Sequence, residues 1–183
     1  VLMAIIEAIE TVYLEANVLS VTFSAISGYE HLELAVSMRG GRTNSTTYTQ
    51  MVLNADTGSN YSERRIHTSG TNMYGQSYAS NAVMFKYQNT TPALNYEDAG
   101  QYAYGRITIY DYLNANKNTT VSSDWSAQLN SPPTYGNCDR TVQVWDNTAA
   151  VTSITMQMDL ETATDPYPTV RGSTITLYGI KSA

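Results

Sequence analysis

The sequence predicts an all-β protein, built as an antiparallel sandwich or barrel, and three observations carry this prediction. Residue types that suit a pleated, half-buried surface are abundant, with 15 tyrosines beside many Thr, Val and Ile. Several segments alternate apolar and polar residues with a period of two. Clusters of Gly, Pro, Asn and Asp separate these segments, as is typical of turns between short strands.

The first predicted strand is the apolar segment at the start of the chain. Ile5, Ile6, Ile9 and Val12 could line one face of a helix, but the Thr-Val-Tyr sequence at 11–13 favours a strand. Its apolar residues fall on both faces of that strand. We therefore expect either a central strand or a strand that a partner covers.

Four later segments predict strands with one apolar face on the core and one polar face in water. The predicted core-facing residues are Leu19, Val21 and Phe23, then Leu32, Leu34, Val36 and Met38, then Ile154, Met156, Met158 and Leu160, and finally Ile175 and Leu177. No tandem repeat, low-complexity tract or linker divides the chain, so a single domain over 1–183 is predicted.

Composition excludes several classes of partner. Ten Lys and Arg stand against sixteen Asp and Glu, and no basic stripe predicts a nucleic-acid partner. One cysteine excludes an internal disulfide and favours folding in a reducing cytoplasm. No apolar run reaches the length of about 18 residues that a membrane span needs. The apolar start is too short and too acidic for a signal peptide, so a soluble chain is expected.

The titratable residues do not predict an enzyme. His31 falls on the solvent-facing side of a predicted strand, where no desolvated pocket would tune a general base. Arg64 and Arg65 would keep the nearby His67 neutral. Cys138 lies in a loop signal with no histidine near it in sequence, which favours an unreactive thiol.

One loop has the composition of a calcium site. Residues 54–60 place oxygen-bearing side chains around a glycine, but Arg65 stands where an EF-hand-like loop needs a bidentate Glu. A tight turn explains the same residues, so we expect no metal and no cofactor. Acidic pairs at 97–98 and 159–161 lie in or beside loop signals, where solvated carboxylates are common, and a glycosidase-like cleft is not expected.

Five tyrosines lie in or near one alternating segment, and they are Tyr96, Tyr102, Tyr104, Tyr110 and Tyr112. Exposed tyrosines on a sheet suit protein interfaces or stacking on sugars. Tyrosines that cover the ends of a sandwich, with their hydroxyls in water, explain the pattern equally well. The sequence leaves both interpretations open.

Four segments, taken together in this order and spacing, resemble a group of small tailed-phage virion proteins. They are Val-Thr-Phe-Ser-Ala-Ile at 21–26 with the Tyr and Leu residues that follow it, Asn-x-Asp-Thr-Gly-Ser-Asn-Tyr-Ser at 54–62, Ala-Ala-Val-Thr-Ser-Ile-Thr at 149–155, and the closing segment 172–181. The closing Leu-Tyr-Gly-Ile-Lys and the Asp-Thr-Gly-Ser-Asn-Tyr loop are the most specific parts. Members of the group are head decoration (cement), tail-fibre or other structural proteins.

The resemblance implies a jelly-roll sandwich on the outer surface of a virion assembled in the host cytoplasm. The expected function is capsid decoration, by a homo-oligomer, favoured as a trimer, that binds the major capsid protein at several points. The apolar first strand would supply the oligomer or shell contact. The alternative is a tail-fibre or receptor-binding domain that contacts host glycans. Residues 68–101 match no family pattern, and a specialised binding surface would lie there.

Overall fold

The computed structural model consists of strands and loops, with no helix among the residues it describes. The described residues are 4–41, 47–69, 71–81, 84–85, 89–91, 102–129, 135–158 and 167–182. The strands in chain order are β1 (Ala4–Tyr13), β2 (Ser20–Ser24), β3 (His31–Met38), β4 (Thr47–Leu53), β5 (Tyr61–Ser69), β6 (Asn72–Asn81), β7 (Asn89–Thr91), β8 (Ala103–Tyr110), β9 (Thr119–Leu129), β10 (Tyr135–Trp145), β11 (Ser153–Met158) and β12 (Thr174–Ser182).

Eight of these strands pair from the two ends of the chain inward. β1 pairs with β12, β2 with β11, β3 with β8 and β4 with β7, always antiparallel. β12 also pairs with β3, and β11 with β4, which gives the sheet orders β1-β12-β3-β8 and β2-β11-β4-β7. This is the connectivity of a long hairpin rolled up on itself, the jelly roll. The predicted all-β sandwich is therefore confirmed, and we call these eight strands the roll.

Two inserted hairpins widen one sheet of the roll. The hairpin β5-β6 interrupts the chain between β4 and β7, and the hairpin β9-β10 interrupts it between β8 and β11. They continue the first sheet in the order β8-β9-β10-β5-β6, so that it has eight described strands, with β1 and β6 at its edges. We call β5, β6, β9 and β10 the extension.

The core of the roll is the apolar space between its two sheets. In β3, the four residues with even numbers are buried, while those between them are half-buried on the other face. The same alternation in β11 buries Ile154, Met156 and Met158, and all of these side chains belong to one apolar cluster. Period-two patterning is thus confirmed as the signal that selects the core face.

The inward face of the extension contributes Tyr61, Trp125 and Trp145 to the same cluster, and it also buries a set of charged and polar side chains. Arg65 and Asp139 form a bidentate ion pair, with Nε–Oδ1 and Nη2–Oδ2 distances of 3.0 and 3.1 Å. Gln143 on β10 donates through its side-chain nitrogen to Glu63 at 3.1 Å and accepts from the backbone N–H of Phe85 at 3.2 Å. These four polar side chains are at least 95% buried, so each bond replaces water that burial has removed.

One expectation for the strands is wrong, and one of two alternatives is excluded. Leu19 does not face the core: it precedes β2 and is 56% exposed, because the alternation begins only at the strand itself. The first strand is not central, since among the described strands β1 pairs with β12 alone and lies at a sheet edge, and the alternative of a strand that a partner covers stays open. Leu160 and the acidic pairs at 97–98 and 159–161 lie outside the described residues.

Candidate interaction surface

The edge strand β1 is the first candidate surface. Its residues are exposed except for Glu7 and Val12, which are half-buried. Ile5, Ile6 and Ile9 are 38%, 56% and 36% exposed. Among the described strands β1 pairs on one side only, so its other side presents backbone N–H and C=O groups to which a further strand could bond.

A cluster behind β1 fixes the position of the strand. The Tyr29 hydroxyl donates to Glu7 at 3.2 Å, and the Lys181 ammonium lies 3.1 Å from the same carboxylate. The Lys181 contact lowers the pKa of Glu7. Residue 179 must be glycine, since a Cβ there would lie 2.2 Å from the Tyr29 ring. These contacts hold the exposed isoleucines on a strand whose geometry is set by the neighbouring β12.

The structure divides the four predicted contact residues of β1. Ile5, Ile6 and Ile9 are exposed, as a contact surface requires. Val12 packs against the core cluster instead, because it lies opposite the buried Ile175 of β12. A contact role for Val12 stays a prediction, with less exposed surface than that of the isoleucines. Tyr13, which the sequence did not single out, is 54% exposed at the end of the same strand.

Two of the five predicted tyrosines are exposed on the outer face of the large sheet. Tyr104 and Tyr110 alternate along β8 with buried residues and are 54% and 39% exposed. The Tyr110 hydroxyl shares a hydrogen bond with Ser122 on β9, at 3.0 Å, and its ring packs edge-on against His31. Their rings are available to a sugar or to another protein.

Two of the remaining tyrosines do not contribute to this exposed face. Tyr112 is fully buried, so its predicted contact role is wrong. At Asp111 the backbone enters the left-handed region, with φ of 48°, which ends the alternation of β8 and turns Tyr112 into the core. The half-buried Tyr102 donates its hydroxyl to the Arg171 carbonyl at 2.9 Å, which is a structural role. Tyr96 lies outside the described residues.

The candidate catalytic residues of the sequence analysis make structural contacts or lie on the surface. Nδ1 of His31 accepts the backbone N–H of Asp111 at 3.0 Å, on the outer sheet face. His67 stacks on Tyr74 at 5.2 Å, and burial, followed by the charge of Arg65, lowers its pKa. Cys138 is exposed. This arrangement does not bring the two histidines and the thiol to one site, since His31 belongs to β3 in the roll and the others to the extension.

Hydrogen bonds to Asp56 close the loop at 54–60, the candidate calcium site of the sequence analysis. Asp56 accepts the Gly58 N–H, the Asn60 side-chain amide and the Trp145 indole N–H, at 2.9, 2.9 and 2.8 Å. The Asn60 bond, followed by the Trp145 bond, lowers the pKa of Asp56. Within the described ranges, no three His, Cys, Asp or Glu side chains are grouped as a metal site requires.

The second sheet edge, β6, lies in the segment where the sequence analysis expects a specialised surface, although none of its residues was singled out. It lies within residues 68–101, where the sequence matched no family pattern, and Met73 and Tyr74 on it are 73% and 45% exposed. A signal was present, because Asn72–Asn81 contains neither a charged residue nor a proline. Such residues protect most natural sheet edges, so their absence indicates an edge that can pair.

Searches against protein families, curated proteins and solved structures find no match for this chain. In the described part of the chain, no helix has the length and apolarity needed to cross a membrane.

Proposed function

We propose that the chain is a structural protein of a tailed-phage particle that binds the major capsid protein on the outside of the shell. The observation that carries the proposal is the edge strand β1, which is ten residues long, has one neighbour among the described strands and exposes three isoleucines. The roll supports it as well, since a jelly roll is the fold that the resemblance to virion proteins implies.

The role follows from the physical chemistry of an open sheet edge. A strand of the shell could add to β1 through backbone hydrogen bonds, while the isoleucines lose water from their apolar surface. Each such contact is modest, but a homo-oligomer that binds several shell subunits at once gains affinity through effective concentration. Decoration of this kind stabilises a shell without any catalytic step.

Immunogold electron microscopy of purified virions, with an antibody against the recombinant chain, tests the location. Gold over the heads is the expected result. Gold at the tail tips alone would contradict decoration and favour the second candidate below. Virions without gold would contradict both virion proposals.

A matched pair of variants tests the surface. Ile6 and Leu19 are both 56% exposed, but only Ile6 lies on β1. We expect Ile6→Lys to weaken binding to undecorated shells at least about tenfold, which corresponds to roughly 1.4 kcal/mol, and Leu19→Lys to leave it unchanged. Equal binding by both variants would exclude β1 as the shell contact.

The exposed pair Tyr104 and Tyr110 supports a second candidate, a tail-fibre or receptor-binding domain that contacts host glycans. A glycan array would then detect binding that Tyr104→Ala removes. Tyr13→Ala is the control, because Tyr13 and Tyr104 are both 54% exposed but belong to different strands. Binding that survives Tyr104→Ala, or no binding to any glycan, would leave this candidate without support.

A further inference from the structure

No contact among the described residues requires a glycine at position 75, in the middle of β6. A Cβ on Gly75 would meet nothing within 4 Å, whereas a Cβ on Gly105 would lie 2.3 Å from the Trp125 ring and one on Gly179 would lie 2.2 Å from Tyr29. A glycine inside a strand costs roughly 0.5–1 kcal/mol relative to alanine. Such a glycine often marks a place where another backbone approaches closely.

Gly75 is also the centre of the regular part of β6. Residues Asn72 to Tyr78 pair one to one with β5, and the register shift comes only after Tyr78, towards the end of the strand. The regular run is therefore seven residues long with Gly75 in the fourth place. Its outer side is open, because β6 is the last strand of the described sheet.

From these observations we infer that β6 pairs antiparallel with β6 of a second copy of this chain, about a two-fold axis at Gly75. In that register, Met73 lies opposite Ser77 and Tyr74 lies opposite Gln76 of the other copy, so that each large side chain faces a smaller one. Gln76 Oε1 accepts from Arg65 Nη1 at 3.5 Å within its own chain, so the amide N–H of Gln76 can donate across the contact, and the serine hydroxyl can donate or accept there. A two-fold contact of this type is the commonest in homo-oligomers.

The charge pattern favours β6 over β1 as the self-pairing edge. β6 has no charged side chain, so two copies bring no like charges together across the axis. β1 carries Glu7 and Glu10, and its register shifts between Ala8 and Glu10. Two copies of β1 would bring these like charges together, which disfavours self-pairing of β1 but not the addition of a different strand.

Exposed apolar residues beside the axis fit the same contact. Gly75 lies opposite Ile66 of β5, which is 58% exposed on the outer face because the glycine offers no side chain to cover it. Met73 is on the same face and is 73% exposed. Because glycine has no side chain, the two Gly75 residues of the pair leave a gap over the axis. The Met73 side chains of the two copies lie in this gap, between the two Ile66 side chains.

The test places charges on the axis. Gly75→Glu and Gly75→Lys fit the isolated chain, since the space around Gly75 is open, but each sets like charges opposite each other in the pair. By light scattering or sedimentation, we expect the wild-type chain to have the mass of a dimer and each variant that of a monomer. An equal mixture of the two variants restores the dimer, because the opposite charges now attract.

Ala8→Glu and Ala8→Lys are the matched controls, because Ala8 is an exposed small residue in the other edge strand. These controls stay dimeric, and circular dichroism checks that all variants keep the wild-type fold. A monomeric wild type, a trimer that ignores the charges at Gly75, or a mixture that stays monomeric would each overturn the inference. The inference does not depend on the virion role, because the masses are measured without shells.

Discussion

The roll and the extension each contribute four strands to the large sheet, and they differ in what they bury. Both contribute side chains to one apolar cluster, but the extension also buries a hydrogen-bonded ion pair. The roll buries aliphatic side chains such as Leu34 and Ile107, which are fully buried in the apolar cluster. The extension buries Arg65, Asp139 and Gln143 in contact with one another or with neighbouring strands. Apolar burial is non-directional, whereas a hydrogen bond requires particular atoms in particular places.

This difference shows two ways of specifying how strands pair. An apolar face is kept when a strand slips by two residues, so alternation alone does not fix the register. The ion pair of Arg65 with Asp139 exists only in the register that sets Thr141 opposite Arg65. Our hypothesis is that the buried polar network fixes the register of the inserted hairpins, while apolar burial supplies most of the stability. The four predictions below test this division, from the largest effect to the smallest.

Removal of one partner of the buried ion pair is expected to have the largest effect. Asp139→Ala takes the carboxylate from a guanidinium that is itself 97% buried, and we expect a loss of about 3–5 kcal/mol in the free energy of unfolding. Urea denaturation measures it. The double variant Arg65→Met with Asp139→Leu removes both charges and is expected to recover most of the loss. A single variant that costs under about 1 kcal/mol would contradict the network's role.

Truncation in the roll is expected to cost slightly less. Leu34→Ala opens a cavity in the middle of β3, where Leu34 is fully buried, and a loss of about 3 kcal/mol follows from lost burial and the cavity. Urea denaturation measures this loss, and the slope of the free energy of unfolding against urea concentration should stay unchanged. Ala35, which is half-buried on the opposite face, gives the control Ala35→Ser. Equal losses for the two variants would mean that the alternation does not decide burial.

Two glycines in the large sheet are expected to respond in opposite directions. Gly105→Ala forces a Cβ against the buried Trp125 ring, where the roll meets the extension, and should cost about 1–3 kcal/mol. Gly75→Ala meets no atom within 4 Å and should stabilise the isolated chain by roughly 0.5 kcal/mol. Thermal unfolding compares the two. Measured at a concentration at which the wild type is monomeric, a destabilising Gly75→Ala would show that the glycine serves its own chain.

The smallest effect concerns the turn that joins the two regions. The folded state lowers the pKa of Asp56 below its unfolded value of 3.8, so the carboxylate contributes its full stability above that value. This contribution is lost as the pH falls through the folded-state pKa. The free energy of unfolding, measured between neutral and acidic pH, should therefore decline less steeply below pH 3.8 in Asp56→Asn than in the wild type. Parallel curves would exclude Asp56 from the acid response.

The roll was largely predictable because its strands alternate cleanly. The residues of β3, β11 and β12 that the period-two pattern assigned to the core are buried wherever they are described. Leu19 shows the limit of the rule, since hydrophobicity does not mark where a strand begins. Tyr112 shows a second limit, because a left-handed residue at Asp111 reverses the direction that alternation predicts.

The extension was not predictable from alternation. Its inward residues include Glu63, Arg65 and Gln143, which a sequence pattern reads as solvent-exposed because their partners are distant in sequence. The pairing of β10 with β5, from hairpins inserted at two separate places, is equally invisible to a local pattern. The isoleucines of β1 were predicted as contact residues because apolar residues on both faces of a strand are unusual. The residues of β6 were not singled out within 68–101, because the signal there is an absence of charge.

The rolled connectivity also sets an order of events during synthesis. Ala4 of β1 lies opposite Ser182 of β12, so β1 is synthesised before every other described strand and waits for β12, its described neighbour. Until then, its isoleucines remain in water on a strand with two free sides. Contacts between such distant residues make folding slow, and exposed apolar strands are prone to aggregate while they wait. Chaperone demand during expression should therefore depend on β1 more than on any strand of the extension.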